Sequence, residues 1–263
     1  MNRFEFFKNY KEFACYIRYK TANVLCNQLE NSRDLNEQRA LMLRIVEELA
    51  AQTDDLSMWL QAIMQRNDGD KKYRDEWERL LSIRTNHSDS KKVIDSFRRV
   101  RSLGGFLRKL DFPPISQIAK IHSTNEILMK EGVDTVWRSV RDAIEQRIVK
   151  SRILELVQNK IKHGMMVYTD TNENKIWIRI FKVNCEGTGR KKILSRLNRN
   201  VEIPIDEPKA KSMVGTIKAY GQAIEALINL LLIDYKYKIL SKKIRLKREN
   251  REKCLDEISK ALS

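Results

Sequence analysis

Glycine and proline are scarce in this chain, at 9 and 4 of 263 residues. Helices avoid both in their interiors, whereas sandwiches and barrels need them in turns, so the shortage disfavours an all-β fold. Cysteine and histidine are scarce too. Cys15, Cys26, Cys185 and Cys254 include no CxxC pair, and with only His87, His122 and His163 a zinc site would need distant recruits. No metal or cofactor is therefore expected, and scattered, unpaired cysteines suit a reducing cytoplasm. The start, Met1-Asn2-Arg3-Phe4-Glu5, lacks the apolar core of a signal peptide. The longest apolar run, Leu230 to Ile233, ends at Asp234 and falls far short of the roughly 18 residues of a membrane span, so no transmembrane segment is expected. GxSxG and HExxH are absent, and no carboxylate cluster offers itself as an acid/base pair.

What is abundant is apolar surface and positive charge. Hydrophobic residues make up 42% of the chain, enough for a sizeable core. The 51 Lys and Arg exceed the 35 Asp and Glu by a formal charge of +16. Polyanions are the natural partners of such a molecule, because binding them releases counterions; RNA or DNA comes first and an anionic membrane second.

The apolar spacing is helical over most of the chain. Residues 3 to 30 carry Phe4, Phe7, Tyr10, Phe13 and Ile17 at helical intervals. Asn31-Ser32-Arg33 reads as a turn, and Asp34-Leu35-Asn36-Glu37 has capping-box spacing before a long helix through Ile63. Asn67-Asp68-Gly69-Asp70 is expected to stop it. A short helix is expected over Lys72 to Ile83, and another from His87 to the break at Gly104-Gly105. Asp111-Phe112-Pro113-Pro114 ends that region. Ser123-Thr124-Asn125-Glu126 repeats the capping-box pattern, and Gly132 separates the short helix after it from a long one starting near Asp134. That long helix has one apolar stripe through Val133, Val136, Trp137, Val140, Ile144 and Ile148, then a second, rotated one through Ile153, Leu154, Val157 and Ile161. After Gly164 the period falls to two. Met165 to Thr169, Lys175 to Phe181 and Val201 to Ile205 read as strands, the last an edge strand because it contains Pro204. Helical spacing returns from Ser212. The expected fold is mainly α: a multi-helix bundle with a small antiparallel hairpin or three-stranded sheet near residues 165–205. It divides into an N-terminal helical region, 1–112, and a second region, 115–263, or forms one continuous domain.

Three stretches could carry chemistry. Gly187-Thr188-Gly189-Arg190-Lys191-Lys192 lacks P-loop spacing and reads as a basic hairpin tip. On the long helix, Arg138, Arg141, Arg152, Asn159 and His163 fall within about 60° of one another. A row of guanidiniums ending in an imidazole could grip a phosphodiester and move a proton near neutral pH. The same residues also suit a solvated basic face, with His163 completing a helix C-terminus before Gly164. The third is the basic end: Lys236, Lys238, Lys242, Lys243, Arg245, Lys247, Arg248, Arg251 and Lys253 lie within 18 residues, with Tyr235 and Tyr237 interleaved. Such a segment can neutralise phosphates and stack on bases, or can be simply an exposed helix end with basic residues favoured there.

The stretch Gln158-Asn159-Lys160-Ile161-Lys162-His163 resembles the signature of the HEPN superfamily, an Arg and a polar residue followed by a short spacer and His. Asn159 and His163 match; Gln158 stands where the family has its arginine. The resemblance implies a helical, commonly dimeric protein with the motifs of two protomers in a shared cleft. Many such proteins are metal-independent endoribonucleases of toxin or phage-defence systems; others lack the motif and serve as binding or scaffold subunits. By that resemblance His163 would be general acid or base with Asn159 beside the phosphate; Arg152, from its place on the same stripe, is expected to help position it, and Arg138, Arg141, Lys160 and Lys162 are expected to bind RNA or DNA. Glutamine supplies neither the permanent charge nor the guanidinium fork of arginine, and Arg152 sits about 16 Å from His163 along an ideal helix. Both the endoribonuclease and the non-catalytic nucleic-acid-binding subunit therefore stand as expectations.

Overall fold

The computed structural model describes residues 9–65, 87–145, 167–168, 174–186 and 193–261. The chain is a mainly helical bundle with one small antiparallel sheet. Its elements are a π-helical turn at Tyr10–Ala14 running into α1 (Cys15–Asn31), then α2 (Leu35–Gln65), α3 (His87–Arg98), α4 (Leu103–Lys109), α5 (Ile115–Ile121), α6 (Glu126–Glu145), β1 (Val167–Tyr168), β2 (Lys175–Glu186), β3 (Ile193–Pro204) and α7 (Glu207–Ala261).

Helix α7 organises the rest. Its N-terminal half carries Met213, Val214, Ile217, Tyr220, Ile224, Leu227, Ile228 and Leu231, all buried in a core shared with α1, α2, α3 and α6. Burial on that scale, at roughly 1.5–3 kcal/mol for each large apolar side chain, outweighs intrinsic helix propensity. Helices α1 and α7 run antiparallel. Lys11 Nζ donates to Asn229 Oδ1 at 2.8 Å, the Tyr16 hydroxyl donates to Glu225, and Lys211 meets Glu30 at 3.2 Å. Their backbones approach closely at Gly221, where an added Cβ would lie 2.5 Å from the Cys15 carbonyl oxygen. Helix α2 packs on α1 through a T-shaped Tyr10–Trp59 pair with centroids 5.1 Å apart, and through Arg18, which reaches Asp55 at 2.6 Å and Glu48 at 3.4 Å. Phe106 of α4 joins this core to α6, 5.0 Å from Trp137 and 6.2 Å from Phe97. The buried set thus runs through both sequence regions, 1–112 and 115–263, as one cluster.

The sheet has the order β1-β2-β3, with Lys175 opposite Pro204 and Glu186 opposite Ile193. β3 is an edge strand, as Pro204 requires. Ile176 and its partner Ile203 are buried in the helical core, while Lys175 and Glu202 form a 2.8 Å ion pair on the other face. Alternation of faces along a strand explains that division.

Several local expectations change. β2 and β3 are each 12 residues long, exceeding the short strands read from apolar alternation; ladder pairing carries them through polar positions such as Asn184 and Ser195. α3 ends at Arg98, before Gly104-Gly105, because Ser102 adopts extended geometry and its side chain accepts from Gly105 N at 3.1 Å, starting a new helix that contains both glycines. Gly132 interrupts nothing: α6 is continuous from Glu126 to Glu145, with the partly buried Met129 before this exposed glycine and the buried Val133 and Val136 after it. The cap of α6 is Asn125, whose Oδ1 accepts from Ile127 N at 2.7 Å; Ser123 instead takes a left-handed turn with φ 52°. Asp34 does cap α2, through Asn36 N at 2.8 Å, but Glu37 bonds the Ser32 hydroxyl rather than closing a box. α7 begins at Glu207, five residues before the expected start, capped by Asp206 accepting from Lys209 N. The expected stop at 67–70, the short helix at 72–83, the turn residues 171–173 and the basic tip 187–192 lie outside the described residues.

Candidate nucleic-acid interface

Arg152, Asn159, Lys160, Lys162 and His163, with Gln158, lie outside the described residues. What leads towards them is α6. Val133, Val136, Trp137, Val140, Ala143 and Ile144 form its buried stripe. Arg138 and Arg141 are exposed on the remaining surface, where Arg138 pairs with Asp134 at 2.6 Å and Arg141 with Glu145 at 3.2 Å. Each guanidinium of the expected phosphate-gripping row that is described therefore already has a carboxylate one helical turn away. Those partners were readable from i,i+4 spacing.

The basic end of α7 is the larger cationic feature. Packing fades along it. Asp234 is buried and pairs with Lys238 at 3.3 Å; His122 Nε2 donates to Ile233 O at 3.1 Å, and the Tyr237 hydroxyl donates to Gln117 Oε1 at 3.1 Å. Those two bonds hold α5 against the helix, and Tyr237 is thereby tied to a neighbour rather than offered to a base. Lys236, Lys242, Lys243, Arg245, Lys247 and Arg248 are all exposed. Arg245 pairs with Glu249 at 2.7 Å and Arg248 with Glu252 at 3.0 Å, each arginine side chain 81% exposed. Among the described residues Lys236, Lys242, Lys243 and Lys247 have no carboxylate partner.

Nothing described suggests covalent chemistry. Burial, followed by the Glu225 and Asp55 carboxylates, pushes the Cys15 thiol up to about 12, and burial with Glu30 raises that of Cys26. Both stay protonated at neutral pH and are poor nucleophiles. Among the described residues no group of three or more His, Cys, Asp or Glu is placed to hold a metal ion. One described helix, Glu207–Asn250, is apolar and long enough to cross a membrane by composition, with a window of mean hydropathy 1.2; 56% of that window is buried inside the protein, as in a core helix, so no clear membrane span stands out. No family model, curated protein or solved structure matches the chain.

Proposed function

We propose that this protein binds nucleic acid through the basic end of α7. The observation that carries the reading is the set of four exposed lysines, Lys236, Lys242, Lys243 and Lys247, that have no carboxylate partner among the described residues, in a chain of net charge +16. An ammonium that is not already neutralised gains most from a phosphate and releases a condensed counterion when it binds one. Four such contacts give a log–log salt slope of about −3.6 on duplex DNA or about −2.8 on a single strand. Between about 50 and about 200 mM salt, affinity then falls roughly 150-fold or roughly 50-fold respectively. Fluorescence anisotropy with mixed-sequence DNA and RNA probes measures this directly. Replacing the four lysines by glutamine should flatten the slope; no binding at low salt, or a slope unaltered by the substitutions, refutes the reading.

The second reading is a HEPN-like, metal-independent endoribonuclease of a defence or toxin-type system, working as a dimer. It is supported by the Asn159 and His163 match to the family motif. His163 would move the proton in a 2′-hydroxyl attack, with Asn159 and Arg152 on the phosphate. RNA should be cleaved in EDTA and His163→Ala should abolish cleavage. Intact RNA, or cleavage that survives the substitution, leaves the non-catalytic binding subunit.

A further inference from the structure

Exposed cations are spread round α7 beyond the core. With Lys242 at zero and about 100° per residue, Lys243 falls at about 100°, Lys247 at about 140°, Arg248 at about 240° and Arg245 at about 300°. Each of these positions is exposed. These five cations are spread round the helix, with no gap wider than about 100° between neighbours. A helix end this rich in like charge depends on i,i+4 pairs or on a partner. The pairs available, Arg245–Glu249 and Arg248–Glu252, have the basic residue first, the less favourable order relative to the helix dipole.

The cations also divide into two flanks. Lys236, Lys243 and Lys247 share one side, near 120°; Arg248, Arg245 and Lys242 run along another from about 240° to about 360°, centred near 300°, so the flanks lie about 180° apart. A single phosphate strand could meet only one of them. Two phosphate rows, one on each side of the helix, meet both. A helix with side chains is about 10–12 Å across, and the major groove of B-form DNA is about 12 Å wide with a phosphate row along each wall. The major groove of A-form RNA is too narrow and deep to admit it.

We propose that residues 242–252 enter the major groove of B-form duplex DNA, the lysine flank on one phosphate row and the arginine flank on the other. This rests on the nucleic-acid reading above and names its substrate class. Arg245 and Arg248 exchange Glu249 and Glu252 for phosphate. The exchange costs little, because exposed i,i+4 ion pairs contribute only about 0.3–0.5 kcal/mol, and a guanidinium can hold a phosphate with two hydrogen bonds. Contacts confined to phosphates carry no sequence information, so binding should be nearly independent of base sequence.

The test uses the full chain and three probes of equal length: duplex DNA, single-stranded DNA and duplex RNA. Two further phosphate contacts favour duplex DNA by about ten-fold or more near 0.1 M salt. Replacing both Arg245 and Arg248 by glutamine should lower the duplex-DNA salt slope by about 1.8 and remove the preference over single strands. Equal or tighter binding of single-stranded DNA or duplex RNA overturns the groove inference, as does an unchanged slope in the double variant. If every probe binds alike and with steep salt dependence, the nucleic-acid reading survives while the groove fails. If no probe binds at low salt, both fail.

Discussion

Gly221 sits inside a 55-residue helix, away from both ends, where glycine costs stability, so its presence needs a reason. The reason is geometric: a methyl group there would lie 2.5 Å from the Cys15 carbonyl oxygen. Carbon–oxygen contacts settle near 3.3–3.6 Å, so alanine would push α1 and α7 apart by roughly 1 Å. Overpacking of this kind costs about 1–3 kcal/mol, against a gain of about 1 kcal/mol from better helix propensity. The Tyr16–Glu225 and Lys11–Asn229 hydrogen bonds lie farther along the same seam and would be strained by the same shift. The net expectation for Gly221→Ala is a loss of about 0–2 kcal/mol from these two effects, to which the strain in the two hydrogen bonds adds, so the melting temperature should fall by up to roughly 6 °C for a chain of this size. Gly215 is the internal control. It lies in the same helix with nothing within 4 Å of its built Cβ, so Gly215→Ala should raise the melting temperature by roughly 2–3 °C. Circular dichroism melts of the two variants beside the parent give the answer. If Gly221→Ala melts at or above the parent, the close approach at Cys15 does not exist.

Two further outcomes follow from the same seam and from the caps. Cys15 and Tyr10 are each pushed up to about 12, chiefly by burial, from ordinary values of 9.0 and 10.0. The unfolded chain loses these protons before the folded one does, so stability is intact below about pH 9 and declines as pH rises towards about 12; a melting temperature that is constant over that alkaline range refutes the assignment. At the start of α6, Asn125→Ala should cost about 1 kcal/mol in a denaturant titration. Ser123→Ala, at a residue that caps nothing, should cost less, and the reverse order would restore the cap to Ser123.

The long elements were legible because their apolar residues recur at one period. Val133, Val136, Trp137, Val140 and Ile144 are buried as their spacing requires, and the sheet falls where the period drops to two. Boundaries were less legible, because several residues compete to make each one. Ser102 displaced Gly104-Gly105 as the break, and Asn125 displaced Ser123 as the cap, although both losers carry stronger turn or capping-box patterns. Gly132 failed as a stop because the burial of Val133, Val136 and Trp137 just after it, with Met129 packed against the core before it, outweighs the roughly 1 kcal/mol that one glycine costs. At the cationic surface, counting Lys and Arg could not separate paired from unpaired charge. The i,i+4 carboxylates Asp134, Glu145, Glu249 and Glu252 were visible in the sequence, and they alone distinguish the paired arginines from Lys236, Lys242, Lys243 and Lys247.

The same helix therefore serves two physical regimes, and the order in which it does so matters. Forming the first turn of a helix is the costly step, while extension adds a hydrogen bond for each residue fixed. The stretch from Glu207 to about Asp234 is held by the core and supplies that first turn. The basic end inherits it and needs only to extend. Standing alone, it carries nine basic residues against two acidic ones between Lys236 and Lys253, a self-repelling segment with pairs in the weaker orientation. Attached to the core, it can present its cations at fixed angles at the cost of extension alone. Ser241, whose hydroxyl donates back to Tyr237 O at 2.8 Å, lies between the packed and exposed parts. Bound phosphate would offset the repulsion in the extended part and leave the packed part untouched, so ligand binding and helix extension beyond Ser241 should be one coupled equilibrium.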